Sequence, residues 1–104
     1  MTARKFVAAW KREKQNMVKE FRSAASSSLV AEKIRDLNLT SAQRKQVIAI
    51  MDTALTDAFY TLLLGLDGSA SIGGIQQTYK IYGEDRKLIS DFGEIEAEAA
   101  EAFQ

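Results

Sequence analysis

The stretch Gly65-Leu66-Asp67-Gly68-Ser69-Ala70-Ser71-Ile72-Gly73-Gly74 decides how this chain is read. It separates the most apolar segment, Val47 to Leu66, from the only segment with a β-like period, Ile75 to Tyr82. Four of the six glycines fall inside it. Helical spacing of apolar residues ends there and two-residue alternation begins, so helices are expected before it and a hairpin after it.

Working back from the stretch, Thr40-Ser41-Ala42-Gln43 is a capping-box pattern, with Thr at the N-cap and Gln three residues on. It opens a long helix that Gly65 or Gly68 ends. Its inward residues are expected to be Val47, Met51, Ala54, Leu55, Ala58, Phe59, Leu62 and Leu66, with Asp52, Thr53, Thr56, Asp57 and Tyr60 on the other side. Around Leu62-Leu63-Leu64 the helix is apolar all round, which predicts burial of Leu62 by the hairpin and the first helix together. The first helix spans Ala3 to Ala25, with Phe6, Val7, Trp10, Met17, Val18, Phe21, Ala24 and Ala25 inward. Glu13 and Lys14 interrupt that stripe. A break at Ser26-Ser27-Ser28 follows, because serine hydroxyls cap helices better than they extend them. A short helix from about Ser28 to Leu37 has Leu29, Ile34 and Leu37 inward, and Asn38 as a left-handed stop.

Forward from the stretch, Ile75, Gln77, Tyr79 and Ile81 alternate with Gln76, Thr78, Lys80 and Tyr82 as one strand. Gly83-Glu84-Asp85-Arg86 is the turn, and Lys87 to Ser90 returns. Asp91 and Glu94 form a second cap pattern ahead of a terminal helix, Glu94 to Phe103, with Ile95, Ala99, Ala102 and Phe103 inward. The expected fold is α+β: N-terminal helices packed on a small antiparallel β-hairpin, closed by a C-terminal helix. At 104 residues it is read as a single domain, 1–104.

Composition narrows the chemistry. The chain has no cysteine and no histidine. No disulfide framework, thiolate zinc site or Cys–His or Ser–His nucleophile can be built, and the usual proton shuttle near neutral pH is missing. No cofactor and no metal site are expected. No secretory leader is visible, and the apolar run Phe59 to Leu66 is far short of the ~20 residues that cross a bilayer. The expectation is a cytoplasmic protein that does not engage membranes.

Net charge is zero but unevenly placed. Residues 1–50 hold eleven Lys/Arg against four Asp/Glu, and residues 51–104 hold three against ten. The two halves are expected to neutralise one another within the chain, between two copies in a homodimer, or against a partner. Asp91 to Gln104 has five acids and no base. Its Glu94, Glu98 and Glu101, together with Asp67, Ser69 and Ser71 of the loop, are the candidate contacts for a basic protein partner.

The same chain carries residues for two other readings. Lys5, Lys11, Arg12 and Lys19 on the first helix are candidate phosphate contacts for a nucleic-acid regulator. Asp52, Asp57, Tyr60 and Asp67 are the candidates for carboxylate catalysis or for a small ligand. The glycine stretch lacks the features of a phosphate cradle: it follows a helix instead of opening one, and holds no lysine. Asp67, Ser69 and Ser71 alternate as in calcium loops, but position 78 carries Thr in place of a bidentate Glu.

Ala58-Phe59-Tyr60-Thr61-Leu62-Leu63-Leu64-Gly65-Leu66-Asp67-Gly68-Ser69-Ala70-Ser71-Ile72-Gly73-Gly74, then Gln77 to Tyr82 and a Glu-rich end closing on Phe103, resembles small bacterial proteins, some of them similar to immunity proteins that neutralise a toxin. The resemblance covers the C-terminal half. It implies a non-catalytic protein–protein interaction module, such as an inhibitor of a basic toxin or nuclease.

Overall fold

A computed structural model describes residues 1–104. It is α+β, as the sequence predicts: four helices and a two-stranded antiparallel sheet. The elements are α1 (Ala3–Arg22), α2 (Leu29–Asp36), α3 (Ser41–Asp67), β1 (Ile81–Tyr82), β2 (Leu88–Ser90) and α4 (Glu94–Phe103). Helices α1, α3 and α4 pack on one another, α2 rests on α1, and β2 leans against α1.

Local chemistry sets the boundaries. Thr2 caps α1 by accepting from the Lys5 N–H. The helix stops at Arg22, three residues earlier than expected, because Ser23 turns extended and Ser26 is drawn inward onto Glu20 at 2.5 Å. Ser28 then caps α2 through the Ala31 N–H. Asn38 sits at φ 52, the left-handed stop. The capping box of Thr40 and Gln43 is formed in both directions. Gly68, at φ 87, ends α3, and its N–H bonds back to the last turn.

The core lies in two clusters. Val7, Phe59, Leu63, Ile95, Ala99 and Phe103 join α1, α3 and α4. Val18, Phe21, Ile34 and Ile48 join α1, α2 and α3. Trp10 stands edge-on to Phe59 at 5.5 Å, and Phe103 lies on the other side of Phe59 at 6.3 Å. Where Glu13 and Lys14 break the apolar stripe of α1, Lys14 reaches across to α3. Its ammonium meets Asp52 Oδ1 at 2.7 Å and Thr56 Oγ1 at 3.2 Å. Asp52 and Thr56 are half-buried at the edge of the α1–α3 contact.

The rotation of α3 differs from the expected one. Ile48, Phe59 and Leu63 are buried, and Leu55 and Leu66 are partly so. Ala54 and Ala58 face out, and Leu62 is 51% exposed while Leu63 is 1% exposed. An apolar run offers several helical phases; in the one adopted, Ile48, Phe59 and Leu63 fill the core and Asp52 lies at its edge beside Lys14. Leu29 and Leu37 at the ends of α2, and Ala24 and Ala25 after α1, are also exposed.

Helix α3 as a whole is longer and more apolar than its longest uninterrupted run suggests. By length and composition it is able to cross a membrane, with a mean hydropathy of 1.6 in its most apolar window. Here one side of it forms the core with α1 and α4.

The strand expected over Ile75 to Tyr82 is paired only at Ile81 and Tyr82, against Ser90 and Leu88. Ile75 belongs to a separate tight turn. Its N–H and C=O exchange hydrogen bonds with Ile72 at 3.0 and 2.9 Å. Gly73 and Gly74 between them hold φ of 59° and 81°, the pair of positive values that a two-residue hairpin turn requires. The Gly83–Arg86 turn forms as expected.

Candidate binding surfaces

The glycine stretch is a joint of the fold. Asp67 is 1% exposed at the last turn of α3. Its Oδ1 accepts the backbone N–H of Ile95 at 2.9 Å, and its Oδ2 accepts the Ser69 hydroxyl at 2.5 Å. The same hydroxyl oxygen lies 3.0 Å from Glu96 Oε2. Gly93 precedes α4 in the left-handed region and offers no side chain, so the expected Asp91–Glu94 cap is absent. Asp67 supplies that cap from another helix, where a carboxylate also meets the positive end of the α4 dipole. Ile72 packs onto the bare backbone of Gly65. Asp67 is thus no contact for a partner, and Ser69 is engaged inside the fold. Of the three loop candidates only Ser71 is exposed.

The carboxylate cluster does not assemble. Asp57 and Asp67 are ten residues apart on one helix, about 15 Å along its axis. Asp57 is exposed, Asp67 is enclosed, and Asp52 belongs to Lys14.

The acidic stripe of α4 divides. Glu94 is exposed near the start of the helix. Glu98 and Glu101 line a groove of about 260 Å³ with Arg4 and Lys11 of α1 across it. None of these four forms a close ion pair, yet opposite charges face each other within one chain. Replacing Glu98 and Glu101 together with Gln should therefore lower the melting temperature at low salt. The expected loss is a few tenths of a kcal/mol per lost neighbour, and it should vanish at about 1 M salt. Equal or higher stability of the double mutant at low salt would show that these acids do not serve the fold.

Lys5, Arg12 and Lys19 are exposed and recur every seven residues along the water-facing side of α1. Lys11 belongs to the groove instead. A second basic feature joins residues far apart in sequence. Arg22, Ser41, Arg44, Lys45 and Ile48 line a cavity of about 520 Å³ between the end of α1 and the start of α3. Arg44 Nη2 donates to the Arg22 carbonyl at 2.8 Å. Arg22 and Arg44 stand 22 positions apart, so spacing along the chain could not have grouped them.

The outward side of α3 is apolar and uncovered, which apolar spacing alone does not distinguish from core. Ile50 is 68% exposed, and with Ala54, Ala58 and Leu62 it makes an apolar strip at four-residue intervals. Asp57 is the one charged residue of α3 on that side beyond Lys45. Beside Leu62 an entirely apolar crevice of about 150 Å³ opens between Trp10, Phe59, Leu66 and Ile72. A shallow groove at the other end is lined by Ile50, Thr53, Ala54 and Asp57. In the sequence this strip shows as apolar residues all round the helix, a pattern that burial within the chain would produce equally. No protein-family model matches the chain, and no curated protein or solved structure matches it.

Proposed function

We propose that this chain is a non-catalytic protein–protein interaction module that receives its partner on the outward side of α3. The observation that supports the reading is apolar surface left uncovered. A folded chain of 11.5 kDa is expected to expose about 5,800 Å². This one exposes 7130 Å², with a radius of gyration of 16.4 Å against an expected ~13 Å. The excess of about 1,300 Å² is total surface and reflects the elongated shape, 46 × 29 × 22 Å; its apolar part includes Ile50 at 68% and Leu62 at 51% exposure. The Leu62 crevice suits an aliphatic anchor, and Asp57 between Ile50 and Leu62 suits a cation. A basic partner, as an immunity-type inhibitor of a toxin or nuclease would have, meets both requirements.

Ile50→Glu with Leu62→Glu tests this, because both side chains are exposed and the fold should survive, as circular dichroism will show. A protein retained by the wild type from the extract of its own cells should be lost by the variant. Its affinity, measured by calorimetry, should fall at least about 30-fold, as expected for losing hot-spot contacts of 2 kcal/mol or more. Equal binding by both forms would rule this surface out. The exposed Lys5, Arg12 and Lys19 support a second reading as a nucleic-acid contact. Salt-dependent binding of DNA or RNA, lost on changing these three to Glu, would replace the first reading with the second.

A further inference from the structure

We propose that Gln76–Lys80 is a strand whose partner is the same segment of a second copy of this chain, paired antiparallel about Thr78. The segment has every local feature of a strand. It alternates, it holds Thr and Tyr, and it runs from Gln76 to Lys80 without turn or bend directly into β1. Yet none of its five backbone N–H or C=O groups makes a hydrogen bond within the chain. Its side chains alone tie it to the fold: Gln76 Nε2 donates to the Gly68 carbonyl at 3.2 Å, and Thr78 packs against the bare backbone of Gly68. The chain cannot supply the missing strand. β2 is three residues long and leaves the ladder at Asp91, and Ile75 is closed off by its turn with Ile72. Ile75 is 65% exposed, and Gln76, Gln77, Thr78 and Lys80 are exposed with it.

The identity of the partner follows from register. An isologous contact across a two-fold axis sets residue i against j and j against i. Centred on Thr78, it places Ile75 opposite Ile81, Gln76 opposite Lys80, Gln77 opposite Tyr79, and Thr78 opposite itself. Apolar meets apolar at both ends, threonines pair at the centre, and the segment's one charge meets an amide. The neighbouring two-fold register, centred on Tyr79, would set Lys80 against Thr78, Ile81 against Gln77 and Ile75 against Gly83. That loses the isoleucine pairs. The chain has zero net charge, so two copies do not repel at long range. Strand addition at an uncovered edge draws its affinity from backbone hydrogen bonds, which this segment has free.

Sedimentation equilibrium between about 1 μM and 1 mM covers the range in which a small interface dissociates. The mass should rise from 11.5 kDa to twice that value. Amide exchange at residues 76–80 should slow about ten-fold between the low and high ends, at alternate positions, and this readout requires no variant. Gln77→Pro and Thr78→Pro, made separately, each remove an N–H that the fold does not use. One of the two faces the partner, so one should abolish the dimer while the melting temperature holds. A monomer throughout the range overturns the proposal. So does a dimer that both proline variants keep. A dimer kept by both but lost in Ile50→Glu would place self-association on α3 instead, and would leave the partner surface argued above occupied by a second copy.

Discussion

Leu63→Ala should destabilise the protein by about 2–5 kcal/mol, while Leu62→Ala should cost less than about 1 kcal/mol. The two leucines are adjacent, identical in chemistry, and equally placed in an apolar run. Only burial separates them. Leu63 lies between α1 and α4 within the cluster of Val7, Phe59, Ile95, Ala99 and Phe103. Truncating it removes its transfer free energy and leaves a cavity that three helices cannot readily collapse around. Leu62 lies beside the crevice with half its surface in water, so truncation loses part of one contact and leaves no void. Urea melts of both variants decide the point. Similar losses at both positions would mean that α3 is rotated from the position described. A reversed order would restore the phase that the apolar spacing alone suggested.

Asp67→Ala should cost about 2–3 kcal/mol, a large effect for a residue that touches no charged partner. Its carboxylate is the cap of α4, although it belongs to α3. Removing it leaves the buried N–H of Ile95 without an acceptor and the Ser69 hydroxyl without its nearer one. An orphaned buried donor costs about 1–3 kcal/mol, and loss of a cap about 0.5–2 kcal/mol. These describe one event and do not add. Asp67→Asn keeps an oxygen for the Ile95 N–H and should cost about 1 kcal/mol, the loss of charge at the helix start. Exchange at the Ile95 amide should accelerate in the alanine variant ahead of global unfolding, because α4 would open first. A change in stability below about 0.5 kcal/mol for Asp67→Ala would show that Gly93 starts the helix unaided.

These two residues illustrate why part of the site was legible and part was not. Asp67 stood out from sequence as an acid after a buried helix, in a loop rich in glycine. Its polar character was visible, but its acceptor role was not. The N–H it satisfies lies 28 residues further on. The acids Glu98 and Glu101 were visible as a stripe, and their orientation toward Arg4 and Lys11 required the packing of α1 on α4. The apolar strip of α3 was visible as excess hydrophobicity. Periodicity gives the angle between residues but not which angle faces the core when every angle is apolar.

The sequence by itself determined what depends on neighbours within four residues. Thr2, Ser28 and Thr40 start helices because their hydroxyls reach an N–H three positions on. Asn38 and Gly68 stop them because they tolerate the left-handed region. Gly73-Gly74 makes a tight turn for the same reason. The absence of cysteine and histidine removed whole classes of chemistry before any fold was known. The tertiary structure alone decided the rotation of α3, the capping of α4 by Asp67, and the isolation of Gln76–Lys80 from any strand partner. The first two depend on contacts between residues far apart in the chain, and the third on the lack of one. The Lys14–Asp52 pair spans 38 positions and the Asp67–Ile95 bond spans 28. Local propensity carries no record of such distances, so the rotation of α3 and the capping of α4 were settled only when α1, α3 and α4 closed on one another.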